Sequence, residues 1–494
     1  MNYHSLGEFV DRLENENELV RIKDHVSPIL EITEITDRVS KQSDGGKALL
    51  FENVEGSNIP VLINAFGSSK RINIALSVHD IEKIPNDIDK YLKIKPPSSL
   101  LEKVKLLPML LEAAAFPPKM VSSRQASCQE VVLTGNDVDL EKIPILQCWP
   151  NDAGRFITFP IVVNRTIDQK LRNVGLYRMQ VYDKKTTGMH WHIHKDGAHF
   201  FHEFKNQGKV MECAVAIGAD PAVCYSASAP LPFGIDEFLF AGFIRKSPVP
   251  LVKCKTVDLE IPATAEIVLE GFIDPSEMRL EGPFGDHYGY YSLKHDYPVF
   301  QVKQITHRSD PLYPATVVGK PRQEDFYIGN LLQELLSPLF PLVMPGVKRL
   351  WSYGETGYHS LAAAVVKERY RREAMASALR ILGEGQLSLT KFLLVTDRDV
   401  DLNNFKSTLE HILARTQPET DLYVLGNMSM DTLDYTGPRV NEGSKGIWLG
   451  LGEPIRELPR VFSASSVPLG IFDIQVFCGG CLVIGGPAYE EEPD

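Results

Sequence analysis

Glu281 and Asp286 stand five residues apart in EGPFGDHYGYY (281–291), separated by Gly, Pro, Phe and Gly, which shape a loop and do not continue a helix. Two carboxyls held close in a half-buried site cannot both ionise freely. This predicts that one of them keeps its proton near neutral pH and serves as a general acid. The plainer reading, a tight turn with two solvated acids, rests on the same Gly, Pro and Asp content. Upstream, GMHWHIHKDG sets His190, His192 and His194 at alternate positions of a predicted strand, hence on one face. Alternating imidazoles raise a metal hypothesis, with a polar strand face as the alternative. A site of the HxH kind wants its Glu within a few residues, and the next one here is Glu203. Asn173 in NVGLYR and Glu237 in SAPLPFGIDEF add a carboxamide and a carboxylate. Asn, His and Glu together are a hard ligand set that suits Mn²⁺ or Mg²⁺ and completes its shell with phosphate. Cys478-Gly-Gly-Cys481 is a solitary CxxC and reads as a turn between strands.

The elements around these residues follow from periodicity. EIVLEGFIDP (266–275) reads as a strand ending in a turn and PVFQVKQITHR (298–308) as another, so the acid loop opens at the end of a sheet. EVVLTG, FITFPIVVN, NVGLYRMQVYD, GMHWHIH and ECAVAIG make the middle third mostly strand, interrupted by one helix over 235–244. Leu6, Phe9, Val10 and Leu13 predict a first helix, and Leu30, Ile32, Ile35 and Val39 a second. ALLFENV and IPVLINAFG read as strands, and a Leu-rich helix is expected over 106–115. Beyond about 320, NLLQELLSPLF, SLAAAVVKERYRREAMASALRIL and LNNFKSTLEHILARTQ read as helices alternating with the strand KFLLVTD. The expected architecture is α+β in three parts: an N-terminal α/β unit (1–118), a central β domain (119–320) and a C-terminal α/β domain (321–494).

Composition narrows the chemistry. The 494 residues carry a formal net charge of −12 without a basic stretch, which argues against nucleic-acid binding and for small-molecule chemistry. Seven cysteines and a polar N-terminus are expected of a cytoplasmic protein, and no run is long and apolar enough for a transmembrane helix.

NVGLYR, MHWHIHKDG, SAPLPFGIDEF and above all EGPFGDHYGYY resemble the UbiD family of prenylated-flavin-dependent decarboxylases. LEITEITDR, ALLFENVEG, FGSSKR, VVLTGNDVDLEKIPILQCWP, LEIPATAEIVLEG and KFLLVTDRDVD resemble family segments in the family's order up to about residue 435. The last sixty residues depart, with GSKGIWLG (443–450) where the family has G-S-K-x-G followed by Asp. The resemblance implies that the central domain is a split β-barrel binding prenylated FMN (prFMN) through Mn²⁺, with K⁺ as a second ion. It further implies that Asn173, His194 and Glu237 hold the metal, that Arg178 and Glu281 pair beside the flavin ring, and that Asp286 is the proton donor. Leu176, Tyr177, Arg178, His190, Trp191, His192, Lys195 and Asp196 fall where the family touches the cofactor. Lys391 is either a phosphate contact or a surface lysine.

The shorter Asp at 286 resembles the branch acting on 3-polyprenyl-4-hydroxybenzoates. The implied reaction is therefore decarboxylation of such a quinone precursor, or of a smaller aromatic or heteroaromatic acid. Implied partners are a flavin prenyltransferase that supplies the cofactor, further copies of the chain in a dimer or hexamer, and the inner membrane surface as a peripheral contact. A flavin reductase or flavin carrier is the reading of another class. It would need a nicotinamide site, for which GLG (450–452) is too little.

Overall fold

The computed structural model describes residues 3–79, 81, 83–92, 112–192, 195–229, 231, 234–463, 467 and 469–488. The chain divides into two compact units, Met1–Leu335 and Leu336–Asp494.

Leu6, Phe9, Val10 and Leu13 are all buried along the helix Leu6–Asn15, which Ser5 caps by accepting from the Glu8 N–H. In the first unit, the strands Leu19–Val26, Ala48–Val54 and Val61–Ile63 form a four-stranded sheet whose last member, Tyr313–Ala315, arrives from the end of the middle third. This crossing joins the N-terminal and middle parts. Ile32, Phe51 and Ile63 share one core with Val162, Val215, Leu269 and Phe300.

The expected barrel is a seven-stranded antiparallel sheet. Its order is Thr186–Gly188, His295–His307, Ile267–Glu281, Met211–Ile217, Pro160–Arg165 and Arg172–Leu176, with Val131–Thr134 pairing the far end of His295–His307. Three expectations change here. The strand Ile267–Glu281 runs through Asp274-Pro275 instead of stopping there, because a register shift between Ile273 and Met278 absorbs the proline, and Glu281 becomes its last residue. The strand expected over GMHWHIH ends at Gly188, so His190 and His192 lie in irregular chain. A helix unforeseen in the sequence, Asp196–Gln207, follows, as does the short Pro221–Ser226, beside the expected one at Glu237–Arg245.

The second unit is a five-stranded mixed sheet, Val347–Ser352, Leu361–Val366, Phe392–Thr396, Glu442–Leu449 and Leu422–Ser429. Leu361–Val366, expected as helix, is a strand whose residues 362–366 are all buried. A strand covered on both faces reads as an unbroken apolar run. The divergent GSKGIWLG is the strand Glu442–Leu449. Its buried Lys445 donates to the Ser388 and Thr390 carbonyls at 2.6 and 2.7 Å, and burial pushes the ammonium down to about 8. Cys478 and Cys481 face each other across the Gly479-Gly480 turn of a hairpin. The predicted helix over 106–115 lies largely outside the described residues, and among those described no helix is long and apolar enough to cross a membrane.

Candidate active site

The acid loop joins the two longest strands of the seven-stranded sheet. Gly282 has φ +92°, open to glycine, and a Cβ at Gly285 would lie 2.1 Å from Trp149 Cδ1, so the loop packs against the indole as only glycine allows. Its turn closes through Asp286 N–H to Tyr290 O and Ser292 N–H to Phe284 O, at 3.1 and 2.8 Å.

Arg178, just beyond Arg172–Leu176, lies between the two carboxylates. Its Nε and Nη2 donate to Glu281 Oε1 at 3.2 and 3.0 Å, and its Nη1 pairs with Asp286 Oδ2. The guanidinium sits 4.5 Å from the centre of the buried Phe284 ring. This bridge reverses the expectation of a raised carboxyl. Burial works to raise Glu281, but Arg178 and His190 overcome it and hold the carboxyl at about 2. Burial likewise opposes ionisation of Asp286, yet Arg178 and then His287 hold it well below the usual carboxylate range. One guanidinium placed between two acids removes the mutual repulsion that the loop spacing implied.

Hydrogen bonds extend from both ends. His190 Nδ1 lies 2.8 Å from Glu281 Oε2, and its Nε2 lies 2.9 Å from His192 Nε2. An ionised Glu281 only accepts, so His190 carries its hydrogen on Nδ1. Burial, reinforced by Arg178, lowers the His190 pKa, and the neutral ring then accepts from His192. On the other side, His287 Nδ1 and its backbone N–H each lie 2.8 Å from Asp286 Oδ1.

A second group adjoins the first through Tyr177 and Trp191. Tyr177 donates to Asn173 Oδ1 at 3.3 Å, and Asn173 Nδ2 to Asn164 Oδ1 at 3.0 Å. Glu237 opens its helix, which Asp236 caps, and accepts from the Val174 N–H at 3.1 Å. Burial pushes the Glu237 carboxyl up to about 8, and the acids Asp236 and Asp196 push the same way. A desolvated carboxylate among acids is a place where a cation relieves the charge. Among the described residues Trp191 Nε1 is buried with no hydrogen-bond partner, beside Gly197, where a Cβ would lie 2.6 Å from it. That orphaned donor suits an acceptor-rich group such as a phosphate or a flavin edge. The donor set therefore fits a divalent cation together with a phosphate-bearing cofactor.

The other expected contacts divide. Lys195 and Asp196 begin the helix Asp196–Gln207, with the Lys195 N–H donating to His192 O at 3.0 Å, and Leu176 N–H donates to Ala227 O at 3.2 Å. Lys391 belongs to the C-terminal unit, where its ammonium donates to Asp434 Oδ2 at 2.6 Å and pairs with Thr436 Oγ1. His194 lies outside the described residues.

Three family models match the chain in order. They are the N-terminal (10–88), Rift-related (119–321) and C-terminal (326–450) domains of 3-octaprenyl-4-hydroxybenzoate carboxy-lyase, the UbiD family. A relative from Chlamydia pneumoniae, by name a subunit of a 4-hydroxybenzoate decarboxylase, is 44% identical over 97% of this chain and 80% of its own. The chain belongs to the UbiD family. Like the family, it is a carboxy-lyase. Among solved structures, the vanillic acid decarboxylase of Sedimentibacter hydroxybenzoicus in its closed form matches with a TM-score of 0.81 and 26% identity, over 95% of this chain and 97% of that one. An evolved dimeric form of the UbiD-class enzyme HmfF from Pelotomaculum thermopropionicum, in complex with prFMN, matches with a TM-score of 0.73 and 27% identity, over 94% and 97%.

Sequence reasoning for this UbiD-family chain missed His287, Gln180 and Asp152. His287 stands next to Asp286 in EGPFGDHYGYY, which was a signal. Gln180 accepts from the Gly282 N–H at 2.9 Å and Asp152 from the Gly285 N–H at 2.7 Å, contacts that no local pattern announces.

Proposed function

We propose that this protein removes CO₂ from a hydroxylated aromatic acid of the quinone-precursor type, with prenylated FMN and Mn²⁺ bound beside the Arg178 cluster. The observation that carries the reading is the Glu281–Arg178–Asp286 bridge at the head of the antiparallel sheet. A flavin reductase or flavin carrier has no use for it. Bound prFMN supplies the electron sink that no side chain offers when CO₂ leaves an aromatic carbon. Asn173, Glu237 and His194 would hold the cation, which would supply positive charge for the cofactor phosphate. Trp191 Nε1, Tyr177, Leu176, Lys195 and Asp196 line the cofactor's seat.

Arg178 and Glu281 set the charge at the reacting face, and His190 and His192 buttress Glu281 from behind. Asp286 carries the proton to the vacated carbon. His287, hydrogen-bonded to Asp286 and 23% exposed, relays a proton to it from solvent once the substrate carboxylate has drawn Arg178 away.

The family model's description supports a 3-polyprenyl-4-hydroxybenzoate as substrate, and the Chlamydia and Sedimentibacter names support an unprenylated acid as the second reading. On cofactor-loaded enzyme, kcat/KM for 4-hydroxybenzoates bearing no, one and two isoprene units decides between them. Each buried methylene adds on the order of 0.8 kcal/mol, so the first reading expects a steep rise with tail length. Equal rates on the untailed acid would establish the second. Decarboxylation of none of these acids by prFMN-loaded protein would remove both.

Metal and cofactor are expected to leave together. Asn173→Ala and Glu237→Ala should each strip Mn²⁺ and flavin, measured by metal analysis and flavin absorbance after desalting. Full flavin occupancy after chelation would contradict the anchoring role. Since the Glu237 carboxyl is pushed up to about 8, protons compete with the cation below that pH, and Mn²⁺ affinity rises as pH increases through it.

A further inference from the structure

The acid loop is not held by its own turn alone. Its main chain is gripped by a segment more than a hundred residues upstream. Asp152, 7% exposed, accepts the Gly285 N–H on Oδ1 at 2.7 Å and the Trp149 N–H on Oδ2 at 2.8 Å. The next residue, Ala153, donates its N–H to Pro283 O at 2.9 Å, and the Asn151 N–H reaches the Tyr291 hydroxyl at 3.2 Å. Gln180 closes the ring, accepting from Gly282 N–H at 2.9 Å while donating to Ala153 O at 3.0 Å. Trp149 packs against Gly285 and is itself fixed by Nε1–H donation to Val318 O at 2.7 Å. The amide that Asp152 holds belongs to the residue immediately before Asp286.

We propose that Asp152 is a positioning residue for decarboxylation, fixing the main chain at Gly285 so that the Asp286 carboxyl points at Arg178 and the reacting carbon. The role of Asp286 as donor rests on the function proposed above, but the grip on the loop does not.

An ionised Asp is the side chain that suits the place. It offers acceptors on both oxygens to two backbone donors, whereas Asn offers one acceptor and sets an NH₂ against the other N–H. Misplacing a reacting group by about 1 Å can cost about a hundredfold in rate. The burial of Asp152 keeps water from replacing either bond.

The test uses Asp152→Asn in the full chain. Amide hydrogen exchange is followed first, in peptides covering 282–291 of cofactor-free, substrate-free protein. Loss of one buried charge-assisted bond is expected to speed exchange there by about tenfold, with peptides from the second unit unchanged. In cofactor-loaded enzyme kcat per bound flavin should then fall by about a hundredfold while KM stays within about twofold; misfolded protein binds no flavin, so referring kcat to bound flavin removes any loss of folded protein from the comparison.

Unchanged exchange at 282–291 overturns the proposal whatever the enzyme's substrate. Faster exchange with unchanged kcat overturns it as well, because the loop would then not need the grip. Failure of the donor assignment alone would instead leave the exchange result intact while Asp286→Asn stayed active. If Asp152→Asn does not fold, Gln180→Met frees the Gly282 N–H and the Ala153 carbonyl with Asp152 in place. The same faster exchange and lower kcat are expected, and wild-type values of both would overturn the clamp.

Discussion

Asp286→Asn is expected to lower kcat by about a hundredfold to ten-thousandfold, the usual worth of a positioned general acid, while flavin binding and folding persist. The amide keeps the size of the side chain, and its single oxygen can still accept from Arg178 or from His287 but not from both, so the fold is checked beside the rate. It has no proton to give. Single-turnover rates on cofactor-loaded protein, set beside flavin occupancy and a thermal melt, separate these outcomes. Near-wild-type kcat would remove Asp286 from the reaction.

Arg178→Gln is expected to act on stability as strongly as on activity. It leaves Glu281 and Asp286 buried with no guanidinium between them, and breaking a buried charge network by deleting one partner costs about 3–5 kcal/mol. The sign of the pH dependence is distinctive. In the wild-type protein the Glu281 carboxyl is depressed to about 2. It therefore contributes stability that is fully present above its unfolded value of about 4.3 and lost as pH falls through the folded one. Without Arg178, a main charge opposing burial is gone from both carboxyls, leaving His190 beside Glu281 and His287 beside Asp286, and both carboxyls move up. The stability they contribute in the wild type above about pH 4.3 is then reduced, most of all towards neutrality. Urea denaturation of variant and wild type at a series of pH values from about 4 to about 8 should thus show the gap between them widening as pH rises. A variant curve parallel to the wild type would mean that Arg178 does not govern these acids.

Much of this was legible in the sequence, and what was not shares a cause. The helix Leu6–Asn15 was readable because its four apolar residues fall on one helical face and all are buried. Leu361–Val366 was not, because Ala and Val covered on both faces carry no period. Asp196–Gln207 follows a histidine alternation that imitates a strand, and its buried face, Ala198, Phe200, Phe201 and Phe204, only becomes a helical stripe once the preceding strand is known to end at Gly188.

In the site, Glu281 and Asp286 could be picked out by loop chemistry. The sense of their titration could not, since the deciding Arg178 is 103 residues from Glu281. Asp152 reaches Gly285 over 133 residues through a backbone amide, a contact independent of the contacted side chain. Local spacing reports which acids share a loop, while tertiary contacts decide which cation sits between them.

The Arg178 bridge also bears on how the enzyme is loaded. One guanidinium against Glu281 and Asp286 leaves that trio one negative charge in excess, in a seat screened from water. On the function proposed above, a carboxylate substrate arriving at neutral pH would add another and compete for the same guanidinium. As it drew Arg178 away, Asp286 would keep only His287 against its burial, and the balance would move towards the neutral acid. On that same function, entry of the anion and capture of a hydrogen ion would become one electroneutral event, the enzyme being charged with its proton by the molecule that receives it.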